Sequence, residues 1–196
     1  QSVPRREGPA KVTGRAQYVD DLVLPGMLVG TTVRSAVPRG FIKRIELERG
    51  IAWSDFVVVT AADIPGVNRI ALILDDQPCL AEREVRHAAE PVLLLAHEDR
   101  ERLLGAAVAV EYRPRTPVLD AGASPQVFKT IAIARGDVDE AFRRADLIVE
   151  GEYRTGHQEH LYIEPNGMLA VPEHGGVTVY GSLQCPYYVH KALTVL

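Results

Sequence analysis

Cysteine is scarce in this sequence. The 196 residues contain two, Cys79 and Cys185, and they form no C-x-x-C pair. So low a count excludes a disulfide framework, and the spacing offers no structural zinc site. Cysteine usage of this kind is typical of proteins from reducing compartments, so we expect reduced thiols and a cytoplasmic protein.

Long hydrophobic runs and a strong charge bias are also missing. The longest apolar stretches, residues 56–62 and 91–96, are far shorter than the roughly 20 residues that span a bilayer. The chain has 22 Lys and Arg against 26 Asp and Glu, which gives a net charge of −4. A mildly acidic chain without a basic cluster has little electrostatic attraction for nucleic acid or an anionic membrane, and we predict neither as a partner.

The composition that remains is that of an ordinary globular protein, with 46% apolar and 24% charged residues. A folded chain of this length buries roughly 70% of the surface that its unfolded form exposes. It can therefore build a core in one or two domains without a metal or a disulfide. The sequence starts at Gln1 rather than Met, and its apolar pattern continues to Leu196. We therefore expect the chain to be a piece of a longer protein.

Proline and glycine divide the chain into two parts. Between Tyr112 and Gly136 the apolar alternation is weak, and turn-forming residues collect at Pro114, Pro117, Gly122 and Pro125. We predict three segments: a first domain over residues 1–113, an extended linker over 114–135, and a second domain that begins at 136 and runs to 196.

The first segment has the pattern of a mixed α and β domain. Alternating or continuous apolar runs predict strands, and an acidic start followed by leucines predicts one short helix. The predicted strands are residues 27–34, 42–47, 56–60, 92–95 and 108–112, and the helix lies within 98–107. Turns are predicted at Leu24-Pro25-Gly26 and Ile64-Pro65-Gly66, where Pro fixes φ and Gly tolerates positive φ.

The second segment opens with a helix start signal. Asp137 with Glu140 forms a capping-box-like pair, which predicts a helix to about Ala145. The remaining patterns predict a strand over 147–154, a hairpin of 167–171 with 177–182 around His174-Gly175-Gly176, and a helix from Pro186 with Val189, Leu193 and Leu196 on one face. The fold class predicted for the whole chain is α+β.

Familiar catalytic motifs are absent: the chain has no G-x-S-x-G, H-E-x-x-H, Walker loop or G-x-G-x-x-G. His157 and His160, with Glu164 nearby, have a spacing at which two imidazoles on a helix could share a metal. No third or fourth ligand is placed beside them, so a hydrogen-bonded loop is the favoured interpretation and we assign no metal site. Cys79 has no neighbouring cation to lower its pKa, and we interpret it as a small buried residue.

Gln184 is the polar residue with the most suggestive position. It stands with Cys185 where a predicted strand meets the helix that starts at Pro186, and such junctions present backbone N–H groups to ligands. Its amide has two donors and an acceptor and carries no charge. Spacing alone leaves two interpretations open: contact with a ligand, or satisfaction of backbone groups at the strand end.

A resemblance extends over nearly the whole chain. The clearest matching runs are Lys11-Val12-Thr13-Gly14-Arg15-Ala16, Leu24-Pro25-Gly26-Met27-Leu28, Ala62-Asp63-Ile64-Pro65-Gly66-Val67-Asn68, Glu90-Pro91-Val92, Gly136-Asp137, Gln158-Glu159-His160, Ile163-Glu164-Pro165 and Ser182-Leu183-Gln184. These runs follow one another in the order found in the molybdenum hydroxylase family, which includes xanthine dehydrogenase and aldehyde oxidase, and the chain resembles that family. One departure is Ala89, which replaces a glycine common before Glu90.

The resemblance implies a fold and a function. The fold would be an α/β hammerhead domain followed by an incomplete mixed α/β molybdopterin-binding domain. The function would be the N-terminal portion of a molybdenum-binding subunit that oxidatively hydroxylates a purine, another N-heterocycle or an aldehyde, with water as the oxygen source. The alternative is a cofactor-free hammerhead scaffold or assembly module.

The resemblance also implies one site residue and several partners. Gln184 matches the family position beside the molybdenum of the molybdopterin cofactor, whereas the family's G-G-F-G-G element and general-base glutamate are not found, so no catalytic residue is assigned. We therefore expect the chain to be inactive alone. Expected partners are the remaining molybdenum-binding segment or subunit, an iron–sulfur subunit with [2Fe–2S] clusters, an FAD subunit and a small-molecule substrate, because two cysteines cannot hold those clusters.

Overall fold

The computed structural model describes residues 3–71, 74–162 and 165–196. The chain divides into two units, Gln1–Pro117 with Glu164–Leu196, and Val118–Ile163. The helices are α1 (Gly8–Val12), α2 (Arg100–Gly105), α3 (Val138–Arg144) and α4 (Pro186–Leu193). The strands are β1 (Val29–Arg34), β2 (Gly40–Leu47), β3 (Val57–Val59), β4 (Ile70–Ala71), β5 (Asp75–Gln77), β6 (Glu84–Val85), β7 (Pro91–His97), β8 (Val108–Pro114), β9 (Met168–Glu173) and β10 (Gly176–Gly181).

Strand β7 is the centre of an antiparallel sheet with the order β1-β7-β3. The sequence predicts a buried strand from its continuous apolar run, and Val92, Leu93 and Leu95 are buried whereas Leu94 is exposed. Leu93 and Leu95 pack with Leu103 of α2 in one core cluster, and Val92 packs in another with Ala81 and Val85. The predicted burial is confirmed for three of the four residues of the run and is wrong for Leu94.

A second antiparallel sheet has the order β6-β2-β8. Strict alternation would place Ile42 and Ile45, three residues apart on β2, on opposite faces. A register shift between Ile42 and Arg44 in the pairing with β8 inserts one extra residue, and both isoleucines then reach the core. Ile45 packs against both core clusters and so joins the two sheets.

The local signals for turns and caps are mostly confirmed. Asp99 caps α2 by accepting hydrogen bonds from the N–H groups of Glu101 (2.8 Å) and Arg102 (3.2 Å). Gly26 has a positive φ of 72°, as predicted for its turn. The predicted hairpin forms from β9 and β10, with Gly175 at φ 84° between them. The final helix begins at Pro186 and ends at Leu193, so Leu196 lies beyond it.

The unit Val118–Ile163 contains little regular structure. Its described part has a 3-10 turn at Ala121–Ala123 and helix α3. Asp137 caps α3 by accepting from the N–H of Glu140 at 2.9 Å, but the Glu140 carboxylate binds Arg143 and Arg144 and does not complete a capping box.

The predicted strand over residues 147–154 is wrong. These residues have no strand partner in the described chain, and the backbone forms neither helix nor strand there. An alternating pattern makes a strand stable only when a neighbouring strand and a covered face are available. Leu147 and Tyr153 are instead exposed.

The α+β fold class is confirmed by two antiparallel sheets, a hairpin and helices of five to eight residues. The sequence patterns did not predict the short strands β4, β5 and β6, which hold two or three residues each and show no periodicity. Among the described residues, no helix has the length and hydropathy needed to cross a membrane.

Candidate functional site

The end of β10 turns sharply into α4, and the residues Ser182 to Cys185 form what we call the 182–185 bend. The N–H of Ser182 donates to the carbonyl of Gly167 at 3.2 Å, which continues the hairpin ladder by one step. A side chain at Gly181 would lie 3.2 Å from Leu183 and 3.3 Å from the Gly167 carbonyl oxygen. The absence of a side chain at Gly181 therefore lets the chain turn tightly.

Gln184 lies on the outside of this bend and is exposed. Its side chain makes no hydrogen bond to another residue of the described chain, so both amide N–H groups and the amide oxygen face outward without a protein partner. The interpretation in which Gln184 satisfies backbone groups at the strand end does not match this geometry. The arrangement suits contact with a polar ligand.

Helix α4 adds a second feature to the bend. Cys185 is its N-cap, supplies no side-chain cap, and accepts a hydrogen bond from the N–H of Tyr188 at 3.0 Å. Pro186 occupies the first helical position, which suits a residue without an N–H. The positive end of the helix dipole therefore lies beside Gln184.

The chemistry of these residues is compatible with a contact to the implied molybdopterin cofactor. An exposed neutral amide next to a helix N-terminus can donate to an oxo group without adding charge. Direct metal ligation has no support, since no group of three or more His, Cys, Asp or Glu in residues 3–71, 74–162 and 165–196 is arranged to hold an ion. The chemistry of the bend therefore suits a hydrogen bond to the cofactor rather than ligation of its metal.

The histidine pair is not on a helix. His157 and His160 lie in an exposed stretch without regular structure, so the face that would bring the two imidazoles together is not formed. Glu164 and Ile163 lie outside the described residues.

Cys79 is half-buried, and burial raises the pKa of its thiol above the ordinary value. A raised pKa lowers the thiolate fraction at neutral pH and disfavours a nucleophilic role. This outcome agrees with the interpretation of Cys79 as a small packed residue. Cys185 is exposed in the 182–185 bend.

The sequence did not predict a contact between the Ile64-Pro65-Gly66 turn and the C-terminal residues. The N–H groups of Gly66 and Val67 donate to the carbonyls of Leu196 and Val195, at 2.6 and 2.7 Å. Gly66 is not among the glycines with positive φ, so the predicted reason for a glycine there is wrong. The Pro65-Gly66 pair predicted the turn, but no nearby residue indicated that the turn contacts Val195 and Leu196.

Comparison with known proteins gives matches over both parts of the chain. Residues 13–116 match the family model for the aldehyde oxidase and xanthine dehydrogenase a/b hammerhead domain. Residues 120–196 match the molybdopterin cofactor-binding domain. The fold prediction of a hammerhead followed by a molybdopterin-binding region is confirmed.

Individual relatives and structures agree with the family models. The chain is 34% identical to a probable xanthine dehydrogenase subunit of Bacillus subtilis, over 93% of its own length and 27% of that protein. It is 30% identical to the nicotinate dehydrogenase large molybdopterin subunit of Eubacterium barkeri, over 91% of its length and 45% of that subunit. Quinoline 2-oxidoreductase from Pseudomonas putida 86 superposes with a TM-score of 0.78 and 26% identity, over 97% of this chain and 27% of that one.

The chain thus spans less than half the length of these relatives. The hammerhead match alone extends over more than half of the chain, and the two family models follow each other in the order that the sequence resemblance implies. The chain belongs to the molybdenum hydroxylase family of aldehyde oxidases and xanthine dehydrogenases.

Proposed function

We propose that this chain is the N-terminal portion of the molybdenum-binding subunit of a xanthine dehydrogenase/aldehyde oxidase-type hydroxylase. The substrate would be a purine, another N-heterocycle or an aldehyde, hydroxylated oxidatively with water as the oxygen source. The observation that carries the proposal is the exposed, unpartnered amide of Gln184 in a region that matches a molybdopterin cofactor-binding domain.

Within this proposal, residues 1–113 act as the hammerhead domain, 114–135 as an extended linker, and 136–196 as the beginning of the molybdopterin-binding domain. The lack of regular structure over most of residues 115–137 supports the linker. The relatives are at least twice as long as the matched region, so further cofactor contacts and the general base would come from residues outside these 196, in the same or another polypeptide.

The role of this chain in the reaction is to hold and orient the cofactor. When bound, the molybdenum cofactor supplies the redox and oxygen-transfer chemistry. Gln184 would donate a hydrogen bond from its amide to an oxo group of the cofactor, and the tight 182–185 bend would fix the direction of that donor. A donor held in place by the fold needs no reorganisation during the reaction, which makes it effective at stabilising developing charge.

Electron transfer requires partners in this proposal. Two cysteines cannot hold [2Fe–2S] clusters, so an iron–sulfur subunit and an FAD subunit, or equivalent domains, would carry those centres. We place the assembled enzyme in the cytoplasm, where thiols such as the exposed Cys185 stay reduced.

The test is made on the assembled enzyme purified with its partners. We expect molybdenum to co-purify, and Gln184→Glu and Gln184→Ala to lower kcat at least about tenfold, because the amide donor is lost. Molybdenum content and subunit association should stay at wild-type levels. Gln126→Ala is the matched control, because it removes another exposed amide that lies outside the bend.

Wild-type kcat in both Gln184 variants would make the residue structural. An assembled wild-type protein without molybdenum would instead favour the cofactor-free scaffold or assembly module. A polypeptide of residues 1–196 alone should neither retain the cofactor nor turn over, because most contacts and the base would be missing.

A further inference from the structure

The loop from Asp63 to Asn68, which we call the 63–68 loop, is fixed at its first residue. The Asp63 carboxylate accepts hydrogen bonds from the backbone N–H and the hydroxyl of Thr60, both at 2.7 Å. These bonds hold the pKa of Asp63 below its ordinary value. The carboxylate therefore stays ionised and keeps the start of the loop attached to the end of β3.

The last residue of the loop is fixed as well. The Asn68 side-chain oxygen accepts from the N–H groups of Cys79 and Leu80, each at 3.1 Å, and its amide nitrogen donates to the carbonyl of Leu80 at 2.7 Å. Leu80 is itself buried. Both ends of the 63–68 loop are thus tied to the hammerhead by side chains within the loop.

The middle of the loop contacts the segment that follows α4. Gly66 and Val67 donate from their backbone N–H groups to the carbonyls of Leu196 and Val195. A Cβ atom at Gly66 would overlap the Val195 carbonyl oxygen and lie 2.6 Å from that of Leu196. The atoms in the way are backbone atoms of Val195 and Leu196, which cannot move aside as a flexible side chain can. Only glycine at position 66 therefore permits this contact.

Apolar side chains surround a groove beside this contact. Ile64 and Pro65 of the loop border an apolar groove of 520 Å³, together with Leu94 of β7 and with Leu193 and Leu196 from the C-terminal segment. The chain after α4 is therefore held to the 63–68 loop by two backbone hydrogen bonds, and apolar side chains of both segments line the same groove.

Helix α4 connects this contact to the candidate site. Its eight residues span about 12 Å, with the 63–68 loop beside its C-terminal end and the 182–185 bend at its N-terminal end. A helix moves as a unit, so fixing one end restricts the position of the other. We propose that Gly66 is a positioning residue: by letting the hammerhead loop bind the chain after α4, it sets where Gln184 presents its amide. The role of Gln184 in this inference rests on the proposed function.

The experiment uses the complete assembled enzyme with the variants Gly66→Ala and Leu193→Ala. Amide hydrogen exchange is measured over residues 64–68 and 184–193, along with molybdenum content, kcat, KM and the electron paramagnetic resonance spectrum of the molybdenum. We expect exchange in both segments to rise at least about tenfold in Gly66→Ala and by a smaller factor in Leu193→Ala. With molybdenum content unchanged, kcat should fall about tenfold to a hundredfold, more than KM changes, and the spectrum should shift.

Gly105→Ala is the matched control, because the φ of Gly105 is likewise not positive and a Cβ there meets nothing within 4 Å. It should leave exchange over 184–193 and kcat at wild-type values. If Gly66→Ala does not fold, the exchange and kcat of Leu193→Ala test the inference. The Leu193 side chain is partly exposed, so its removal destabilises the fold only mildly.

Unchanged exchange over 184–193 in the variants that fold would overturn the inference, and so would raised exchange with wild-type kcat and spectrum. A wild-type assembly without molybdenum would contradict the proposed function alone. The exchange comparison needs no cofactor and would still decide whether Gly66 anchors α4.

Discussion

Ala89 has a backbone conformation that is unusual for its residue type. Its φ is 62°, in the left-handed region, and its neighbours hold it there: its N–H donates to the carbonyl of Ser35 at 2.9 Å, and its carbonyl accepts from the Arg34 side chain at 3.0 Å. This conformation costs a residue with a Cβ about 1–2 kcal/mol. It also gives a physical reason for the glycine that the family resemblance implies before Glu90.

Replacing Ala89 with glycine should therefore stabilise the hammerhead. We expect Ala89→Gly to raise the free energy of unfolding by about 1 kcal/mol, because relief of the strained φ exceeds the added chain entropy of the unfolded state. Urea denaturation is the measurement. Ala88→Gly, one residue earlier and without positive φ, should be neutral or destabilising, and an equal gain in both variants would contradict the argument.

Single residues also mark the limit of sequence-based prediction. The position of Gln184 at a strand–helix junction could be predicted from the nearby Pro186, because the signal is local. Its lack of a hydrogen-bond partner among the described residues could not, since that depends on everything around the bend. Gly66 shows the same limit: its turn was predictable from Pro65, but the need for a missing side chain comes from Val195 and Leu196, far away in sequence.

At the scale of elements, caps and turns were predictable and isolated strands were not. Asp137 before α3 and Gly175 in the hairpin act within a few residues, so their patterns predict the structure directly. The 147–154 pattern predicts a strand only if a partner is present, and the described chain offers none. The bulge in β2 likewise depends on its pairing with β8.

The N-cap of α2 should make stability depend on pH. Backbone N–H groups of Arg102 and Glu101 hold the pKa of Asp99 below its ordinary value of 3.8. A depressed pKa stabilises the fold above that ordinary value, and the contribution disappears as the pH falls through the folded-state pKa. We expect the Tm of wild type to drop more steeply below about pH 4 than that of Asp99→Asn, whose neutral side chain caps at every pH.

Thermal unfolding followed at a series of pH values measures this difference. Asp20→Asn is the control, since the Asp20 carboxylate accepts no hydrogen bond from another described residue and its removal should leave the pH profile unchanged. Parallel curves of Tm against pH for wild type and Asp99→Asn would show that the Asp99 cap does not make stability depend on pH.

At the scale of the molecule, exposed apolar side chains are concentrated between residues 118 and 163. Phe128 is 80% exposed and Ile133 is 93% exposed, values unusual for large apolar groups. Others in the same unit are Leu119, Val127, Ile131, Leu147, Val149 and Leu161. Covering such a segment with protein lowers the free energy, which agrees with the proposed place of this chain in a larger assembly.

The polypeptide of residues 1–196 should therefore self-associate. We expect Phe128→Ser with Ile133→Ser to lower its apparent mass in analytical ultracentrifugation and to weaken binding of a hydrophobic dye. Val12→Ser, which removes an equally exposed apolar group in the other unit, is the control. Self-association that persists in the double variant and disappears in the control would show that the apolar groups between residues 118 and 163 do not cause it.

Ile45 packs against both core clusters, and β7 contributes Leu93 and Leu95 to one of them and Val92 to the other. Neither sheet can lose its order without uncovering the other, so heat and denaturant should act on the pair as one all-or-none event. The hammerhead face that holds the 63–68 loop is consequently either wholly present or wholly lost, and we expect no populated state in which a partly unfolded hammerhead still anchors the chain after α4.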